Sequence, residues 1–241
     1  MVEQGEVPFY AAVLQSQKES GWLRTSTIAA GRHLIFGVVS STHTYRVQNP
    51  SDRFREALLG GEVISEEEAA RSALDQVNAI DDLDFVSALE FAVGVFEPTM
   101  AFVDLAWIGG VAVIGISGDE WKLINDPHLV YRQHKENERD DFSGRMVTRA
   151  FNPTRLAERA ERRSIDLRSL DWVVFSTCEP DSLERDKTPP IALPDETLSS
   201  RILATSIANA WIDGSGIYAE ISVVVVNLTA GRAKYARSER Q

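Results

Sequence analysis

The sequence predicts an antiparallel α+β layered domain rather than a doubly wound parallel sheet. Apolar strand patterns cluster at both ends of the chain and in its middle, whereas helical patterns fall into two blocks. Short, hairpin-like connections join most of the strands, and parallel strands would need longer crossovers. The 241 residues suit one domain, 1–241. We expect its core over 9–230 and a basic, fraying tail over 231–241.

Composition and charge indicate an ordinary globular protein. Hydrophobic residues make up 44% and charged residues 25% of the chain. The net charge of -11 argues against nucleic acid or an anionic membrane as the main partner, because both need a basic surface. The single cysteine, Cys178, permits no internal disulfide. With no signal-peptide pattern and no apolar run long enough to span a bilayer, we expect a cytoplasmic protein.

The first part of the chain predicts two strands followed by two helices. Residues 9–15 and 33–40 are apolar strands, and the second is apolar enough to be buried. A capping-box spacing of serine and glutamate, followed by an apolar stripe, predicts a helix over 65–80. Residues 82–96 are predicted to form a second helix that ends before Pro98.

The middle of the chain predicts two pairs of strands. Residues 99–108 and 111–117 are apolar, and the pair Gly109-Gly110 between them suits a tight hairpin because both residues tolerate positive φ. Residues 121–126 and 128–134 suggest a second strand pair around a proline.

The last part predicts a strand, a helix and a strand. Residues 170–178 form a buried strand that runs into a loop. Residues 194–214 form a helix with a terminal glycine. Residues 222–228 contain four consecutive valines, without the polar alternation of a half-exposed strand, and therefore predict a buried strand.

Several short stretches have a characteristic order along the chain. They are Gly21 and Arg24 before Thr27-Ile28-Ala29-Ala30, Phe36-Gly37-Val38 before Ser40-Ser41, Thr99 before Gly118-Asp119, Val-Thr-Arg-Ala-Phe at 147–151, Cys178-Glu179 after an apolar strand, and Ala219-Glu220 before the valine run. This series resembles the metal-dependent type 2C (PPM-type) Ser/Thr protein phosphatases from about residue 21 to residue 228.

The resemblance implies a four-layer α-β-β-α sandwich, in which helices flank two antiparallel sheets. It also implies a site at which carboxylates hold two divalent cations, and a water between the cations attacks the phosphate. The hydrophobic framework of the family is present, but most of its acidic residues are not. The residues that stand at the acidic positions are Ile28, Ala29, Ser40, Cys178 and Ala219.

The lost acids predict a pseudophosphatase, with no catalytic residue, no metal and no cofactor. Mg²⁺ and Mn²⁺ need oxygen ligands with compensating charge, which isoleucine and alanine cannot supply. Asp119 alone matches a family acid, and its counterpart serves a weaker metal position. The resemblance then implies a regulatory or scaffolding module in Ser/Thr phosphorylation signalling. Its partner would be a protein, such as a Ser/Thr kinase or a phosphoprotein.

Two alternatives stay open. A weak phosphatase could build a relocated Mn²⁺ or Mg²⁺ site from Asp119, Glu179, Asp181 and Glu220, although a one-residue shift on a strand turns Glu220 to the other face. A phospho-ligand sensor could use Arg24, since the resemblance makes this residue the phosphate-contacting arginine and a guanidinium suits a phosphoryl group. The competing interpretation of Arg24 is a salt bridge.

Other reactive residues have simpler interpretations. Cys178 as a phosphatase nucleophile would need an arginine six positions later, but Arg185 comes one position too late and three acids intervene. His43, His128 and His134 have no metal-ligand spacing, so we expect them at the surface. Residues 155–163 are a charged amphipathic segment, interpreted as a solvated helix or a docking surface.

Overall fold

Ten strands and a C-terminal helix are defined in the part of the chain that the structure describes. The structure is a computed structural model, and it describes residues 11–17, 23–30, 34–42, 89–129, 148, 150, 160–177, 203–207, 209 and 220–240. Both sheets are antiparallel throughout, as the sequence predicts. In these residues no helix is long and apolar enough to cross a membrane.

The first sheet brings the two ends of the chain together around the valine run. Its strands, in spatial order, are β1 (Ala11–Gln17), β10 (Glu220–Asn227), β9 (Trp172–Ser176), β6 (Ala112–Ser117) and β7 (Glu120–Leu123). The valines of β10 are all fully buried because the strand lies between β1 and β9 and is covered on both faces.

The second sheet contains the remaining strands. In spatial order they are β2 (Leu23–Ala30), β3 (Ile35–Thr42), β4 (Leu89–Phe96), β5 (Phe102–Ile108) and β8 (Glu161–Asp166). Strands β2 and β8 are at its edges. Neither was predicted, and the predicted helix over 155–163 is wrong where it enters β8.

An apolar core lies between the two sheets. Phe36 and Trp107 of the second sheet belong to the same cluster as Phe175 and Val224 of the first. Phe96 makes edge-to-face contacts with Phe36 and Phe175, with ring centroids 5.6 and 6.2 Å apart. The core therefore joins the sheets face to face.

Each sheet also has an apolar outer face. On the first sheet, helical residues 203–207, which lie within the predicted helix, pack Leu203, Ala204 and Ile207 against β10 and β6. On the second sheet, Ile28, Val39 and Phe91 form a separate buried cluster. The predicted helix over 65–80 lies outside the described residues.

The predicted helix over 82–96 is wrong where the structure describes it. Residues 89–96 are strand β4, which pairs with β3 and β5 and is buried along nearly its whole length. A continuous apolar run cannot be assigned by periodicity, because a strand buried on both faces and a buried helix look alike. The phenylalanines and valines in this run suit the strand.

The predicted hairpin at Gly109-Gly110 is also wrong. Strand β5 belongs to the second sheet and β6 to the first, so this glycine pair is a crossover between the sheets. Gly109 has φ of +95°, which glycine adopts without steric cost. Strand β7 pairs with β6 through a turn at Gly118-Asp119. Most of its predicted partner over 128–134 lies outside the described residues.

The basic end of the chain forms a docked helix rather than a fraying tail. Helix α1 spans Leu228–Ser238, and the side chain of Asn227 caps its first turn by accepting a hydrogen bond from the Ala230 amide. Arg232 donates hydrogen bonds to the carbonyl oxygens of Leu167 (2.6 Å), Leu170 (3.1 Å) and Met100 (3.4 Å). This arginine ties α1 to the loops at one end of the sandwich.

Replacing Arg232 should loosen α1. We expect Arg232→Ala to lower the free energy of unfolding by about 2 kcal/mol, because hydrogen bonds from a charged, partly buried donor are lost. Urea denaturation measures the loss, and amide hydrogen exchange should show faster opening of residues 230–238. Arg237→Ala, on the exposed side of the helix, is the control and should cost less than about 0.5 kcal/mol. Equal losses in both variants would contradict the role given to Arg232.

Candidate functional site

One end of the sandwich collects the positions that the motifs single out. We call it the motif end, defined by the start of β2, the end of β3, the start of β4, the end of β9 and the start of β10. Ser40 lies opposite Thr25 and Glu90, and Ser176 lies opposite Ala112 and Val223. The short crossover from Ile108 to Ala112 shows that these ends of the two sheets are neighbours.

The motif positions on β2 and β3 fall at different depths in the sheet. Ser40 is at the motif end and is buried, with 2% exposure. Ile28 and Ala29 pair with Gly37 and Phe36, so they lie about 10 Å or more along β2 from the level of Ser40. Ile28 is fully buried in the outer apolar cluster of the second sheet. The residue of β2 that faces Ser40 across the ladder is Thr25.

Asp119 does not belong to this end of the sandwich. It is an exposed residue of the β6–β7 turn, whereas the opposite end of β6 pairs with Ser176. The length of β6 puts about 20 Å between the two ends. The structure therefore does not bring Asp119 together with the other motif positions. Thr99 also lies away from the motif end, in the β4–β5 turn, where its hydroxyl donates to Glu97 Oε2.

Other predicted positions are described only in part. Arg24 lies on β2 opposite Ser41, and Glu220 begins β10 opposite Gln17, so the backbone places both at the motif end. Cys178, Glu179, Asp181 and Ala219 lie outside the described residues.

Glu90 is a carboxylate of the motif end that the sequence analysis missed. It lies on β4 opposite Ser40, and its Oε2 accepts a hydrogen bond of 2.7 Å from the amide of Gly110. A Cβ atom at Gly109 would lie only 2.4 Å from Cγ of Glu90, so the glycine makes room for this side chain. The crossover between the sheets is thus built around Glu90.

The pKa of Glu90 is raised from 4.5 to about 7. Burial of the carboxyl group is the main cause, and the hydrogen bond from Gly110 opposes it. The residue as a whole keeps part of its surface exposed, so solvent reaches it even though the carboxyl group is largely desolvated.

His128 holds the other side of the crossover. Its Nδ1 accepts a 3.0 Å hydrogen bond from the Gly109 amide, and its Nε2 lies 3.0 Å from Glu161 Oε1. Because Nδ1 accepts, the proton of the neutral ring is on Nε2, which donates to Glu161. His128 is only 6% exposed, so the predicted surface position is wrong for this histidine. His43 and His134 lie outside the described residues.

The segment that carries His128 is fixed by further hydrogen bonds to the crossover. Asn125 accepts from the Val113 amide at 2.7 Å and donates to the Val111 carbonyl at 2.8 Å. Trp107 Nε1 donates to the Asp126 carbonyl at 3.0 Å. These contacts hold the segment, and with it the imidazole of His128, in place without a bound ligand.

Hydroxyl groups from the first sheet complete the motif end. The Thr177 amide donates to the Ser222 carbonyl at 3.1 Å, and the Ser222 amide donates to Thr177 Oγ1 at 3.0 Å. Both residues are buried. They continue the pairing of β9 and β10 to the end of β9.

The described residues do not fit a pair of divalent cations. They contain no group of three or more His, Cys, Asp or Glu side chains that could hold a metal ion. At the motif end, Glu161 is engaged by His128, and Glu90 is a desolvated carboxyl group held by one amide. Two dications need several carboxylates to balance their charge, and the described residues of this end do not supply them.

Comparison with known proteins identifies the fold. No protein-family model and no curated protein sequence matches the chain. Among solved structures, Ser/Thr phosphatase Stp1 from Staphylococcus aureus matches with a TM-score of 0.69 and 8% identity, over 94% of this chain and 97% of that one. PppA, a key regulatory component of T6SS in Pseudomonas aeruginosa, matches with a TM-score of 0.66 and 14% identity, over 90% and 97%.

A third match is the PPM Ser-Thr phosphatase MsPP from Mycobacterium smegmatis, in complex with cacodylate. Its TM-score is 0.58 and its identity 15%, over 90% of this chain and 97% of that one. The chain therefore has the fold of the PPM-type Ser/Thr phosphatases, which confirms the fold that the motif series implies. Identities this low establish the fold alone.

The raised pKa of Glu90 predicts a pH-dependent stability. A carboxyl group whose pKa is higher in the folded state stabilises the fold below its unfolded pKa, and this contribution is lost as the pH rises to about 7. Between pH 5.5 and pH 8, Glu90→Gln should therefore become more stable relative to the wild type by about 1 to 2 kcal/mol. Urea denaturation at both pH values measures the change.

Glu97→Gln is the control for this experiment. It removes one carboxyl group at the opposite end of β4, away from the crossover. If both variants changed the pH dependence equally, net charge rather than the burial of Glu90 would be the cause.

Proposed function

We propose that this chain is a catalytically inactive protein of the PPM phosphatase fold, which acts by binding another protein. One observation carries the proposal. Strands β2 (LRTSTIAA), β3 (IFGVVSST) and β9 (WVVFS) contain no acidic residue, and β10 contains only Glu220. No shift of the motif alignment within β2 or β3 could supply a carboxylate, and the acids nearest to β9, Glu179 and Asp181, follow that strand rather than lie on it.

The chemistry of two-metal hydrolysis explains why this matters. The cations lower the pKa of the attacking water and stabilise the charge of the transferring phosphoryl group. Carboxylates both bind such hard cations and neutralise their charge. Ser40, Thr177 and Ser222 carry neutral oxygens instead, which support binding of a polar ligand better than hydrolysis.

The role that remains is regulatory or scaffolding. The partner that the resemblance favours is a Ser/Thr kinase or a phosphoprotein, in a cytoplasmic phosphorylation pathway. A net charge of -11 makes an extended polyanion an unfavourable partner.

The proposal predicts no metal-dependent turnover. With millimolar Mn²⁺ or Mg²⁺, hydrolysis of p-nitrophenyl phosphate and of a phosphothreonine peptide should stay at the buffer level, while Stp1 serves as the active control. Thermal unfolding should show no rise of the melting temperature with either ion, because a bound ion must stabilise the fold by mass action.

Turnover together with metal stabilisation would overturn the proposal. Alanine variants of Glu179, Asp181 and Glu220 would then locate a relocated site. Asp119→Ala is the matched control, since this acid lies at the opposite end of β6.

A second candidate function is a phospho-ligand sensor that uses Arg24. The observation in its favour is the pairing of Arg24 with Ser41, which places this residue at the motif end. Sensing predicts that inorganic phosphate or phosphothreonine raises the melting temperature and that Arg24→Ala abolishes the effect. Lys122→Ala, an exposed cation on β7, should retain it. If both variants lost the stabilisation equally, nonspecific anion binding would explain it and the sensor would be excluded.

A further inference from the structure

We propose that the motif end receives a positively charged side chain, the guanidinium or ammonium group of a protein partner, and that Glu90 is its acceptor. The inference rests on the proposed binding function and names the chemistry of the group that is bound. It reverses the charge preference of a phosphatase site, which receives an anionic phosphoryl group between cations.

The geometry of the Glu90 carboxyl group suits it to bind a ligand. The hydrogen bond from Gly110 to Oε2 fixes the side chain, and Gly109 leaves room for it. The described contacts of this carboxylate use Oε2 only, and Glu90 is partly exposed. The carboxyl group is therefore held in one orientation before a ligand binds, in a residue that keeps part of its surface exposed to solvent.

The electrostatic environment of Glu90 favours a bound cation. Burial penalises the negative charge of Glu90, and a single backbone amide compensates only part of that penalty, so the pKa stays at about 7. Neither of these two causes is a cation. A bound guanidinium or ammonium group would neutralise the carboxylate one to one and add charge-assisted hydrogen bonds. A divalent ion would keep an uncompensated positive charge on a single carboxylate.

The neighbouring acid, Glu161, differs from Glu90 because its carboxylate already has a side-chain partner. Glu161, on the other side of the crossover, already receives the Nε2 proton of His128 at 3.0 Å. Ser40, opposite Glu90 on β3, is a buried hydroxyl-bearing residue and adds no charge. Glu90 is therefore the acid that would gain most from a bound cation, among those of the motif end whose side-chain contacts the structure describes.

The inference has a thermodynamic consequence. A cation that binds the ionised form of Glu90 must lower its pKa, so binding releases a proton near neutral pH and strengthens as the pH rises. A ligand held by packing alone would leave the titration unchanged.

The experiment follows the Glu90 side chain directly. The ¹³Cδ resonance of Glu90 is titrated between pH 5 and pH 9 alone, with arginine amide, with citrulline amide, and with NaCl at matched ionic strength. We expect arginine amide to lower the midpoint by about one pH unit, and citrulline amide and NaCl to have a clearly smaller effect. The Gly110 amide resonance should respond in wild type and not in Glu90→Gln, while Glu97→Gln retains the response.

Three results would overturn the inference. Equal effects of NaCl and arginine amide would show screening only, and an unchanged midpoint with arginine amide would show no binding. A larger effect of millimolar Mn²⁺ that Glu90→Gln abolishes would show a metal site instead. The phosphatase assay tests the proposed function separately, so turnover with an intact arginine response would overturn that function and not the cation site.

Discussion

The crossover at Gly109-Gly110 is the constraint on which the motif end depends. The chain leaves one sheet after Ile108 and enters the other at Ala112, so three residues fix the relative position of both sheets at this end. Their backbone amides cannot join a sheet ladder and must find other acceptors when buried. Glu90 supplies one acceptor and His128 the other.

Several properties of the site follow from this requirement. Positive φ and the close approach of Glu90 both exclude a side chain at Gly109. The acceptor role of Nδ1 sets the tautomer of His128 and directs its Nε2 proton to Glu161. The hydrogen bond that satisfies Gly110 is also what holds the Glu90 carboxyl group in a position where its charge is costly. The tautomer of His128 and the raised pKa of Glu90 therefore both follow from the way in which the crossover joins the two sheets.

Much of the fold could be predicted from the sequence, because burial leaves a clear local signal in some strands. The β-branched valines of β10 favour a buried strand, and β9 shows the same character. The apolar run of β4 gives no period and suits a helix as well as a strand. The pair Gly109-Gly110 permits a sharp change of direction but does not reveal which sheet the chain enters next. Strand β8 has mostly exposed, charged residues because it lies at a sheet edge.

The candidate site was predictable only where a motif coincided with a strand end. Ser40 meets this condition, and the register puts it opposite Thr25 and Glu90. Asp119 was assigned through a Gly-Asp pair alone, but such a pair is also ordinary turn chemistry, and here it forms the far turn of β6. Glu90 is a single acid in an apolar run. Such an acid by itself indicates only the boundary of a strand. The significance of Glu90 arises from the amide of Gly110, twenty residues later, a contact that no local pattern encodes.

Under the proposed function, the neutral residues at the motif positions and the state of Glu90 have a common physical explanation. A cluster of carboxylates is stable only when cations compensate its mutual repulsion, so a site that no longer holds metal gains stability by replacing acids with neutral residues. The threonine and serine residues at the start of β2 and the end of β3 fit that expectation. Glu90 escapes it because it serves the crossover, and replacing it would leave the Gly110 amide without its acceptor. Among the described residues of the motif end, Glu90 is thus a desolvated carboxylate that the crossover itself requires.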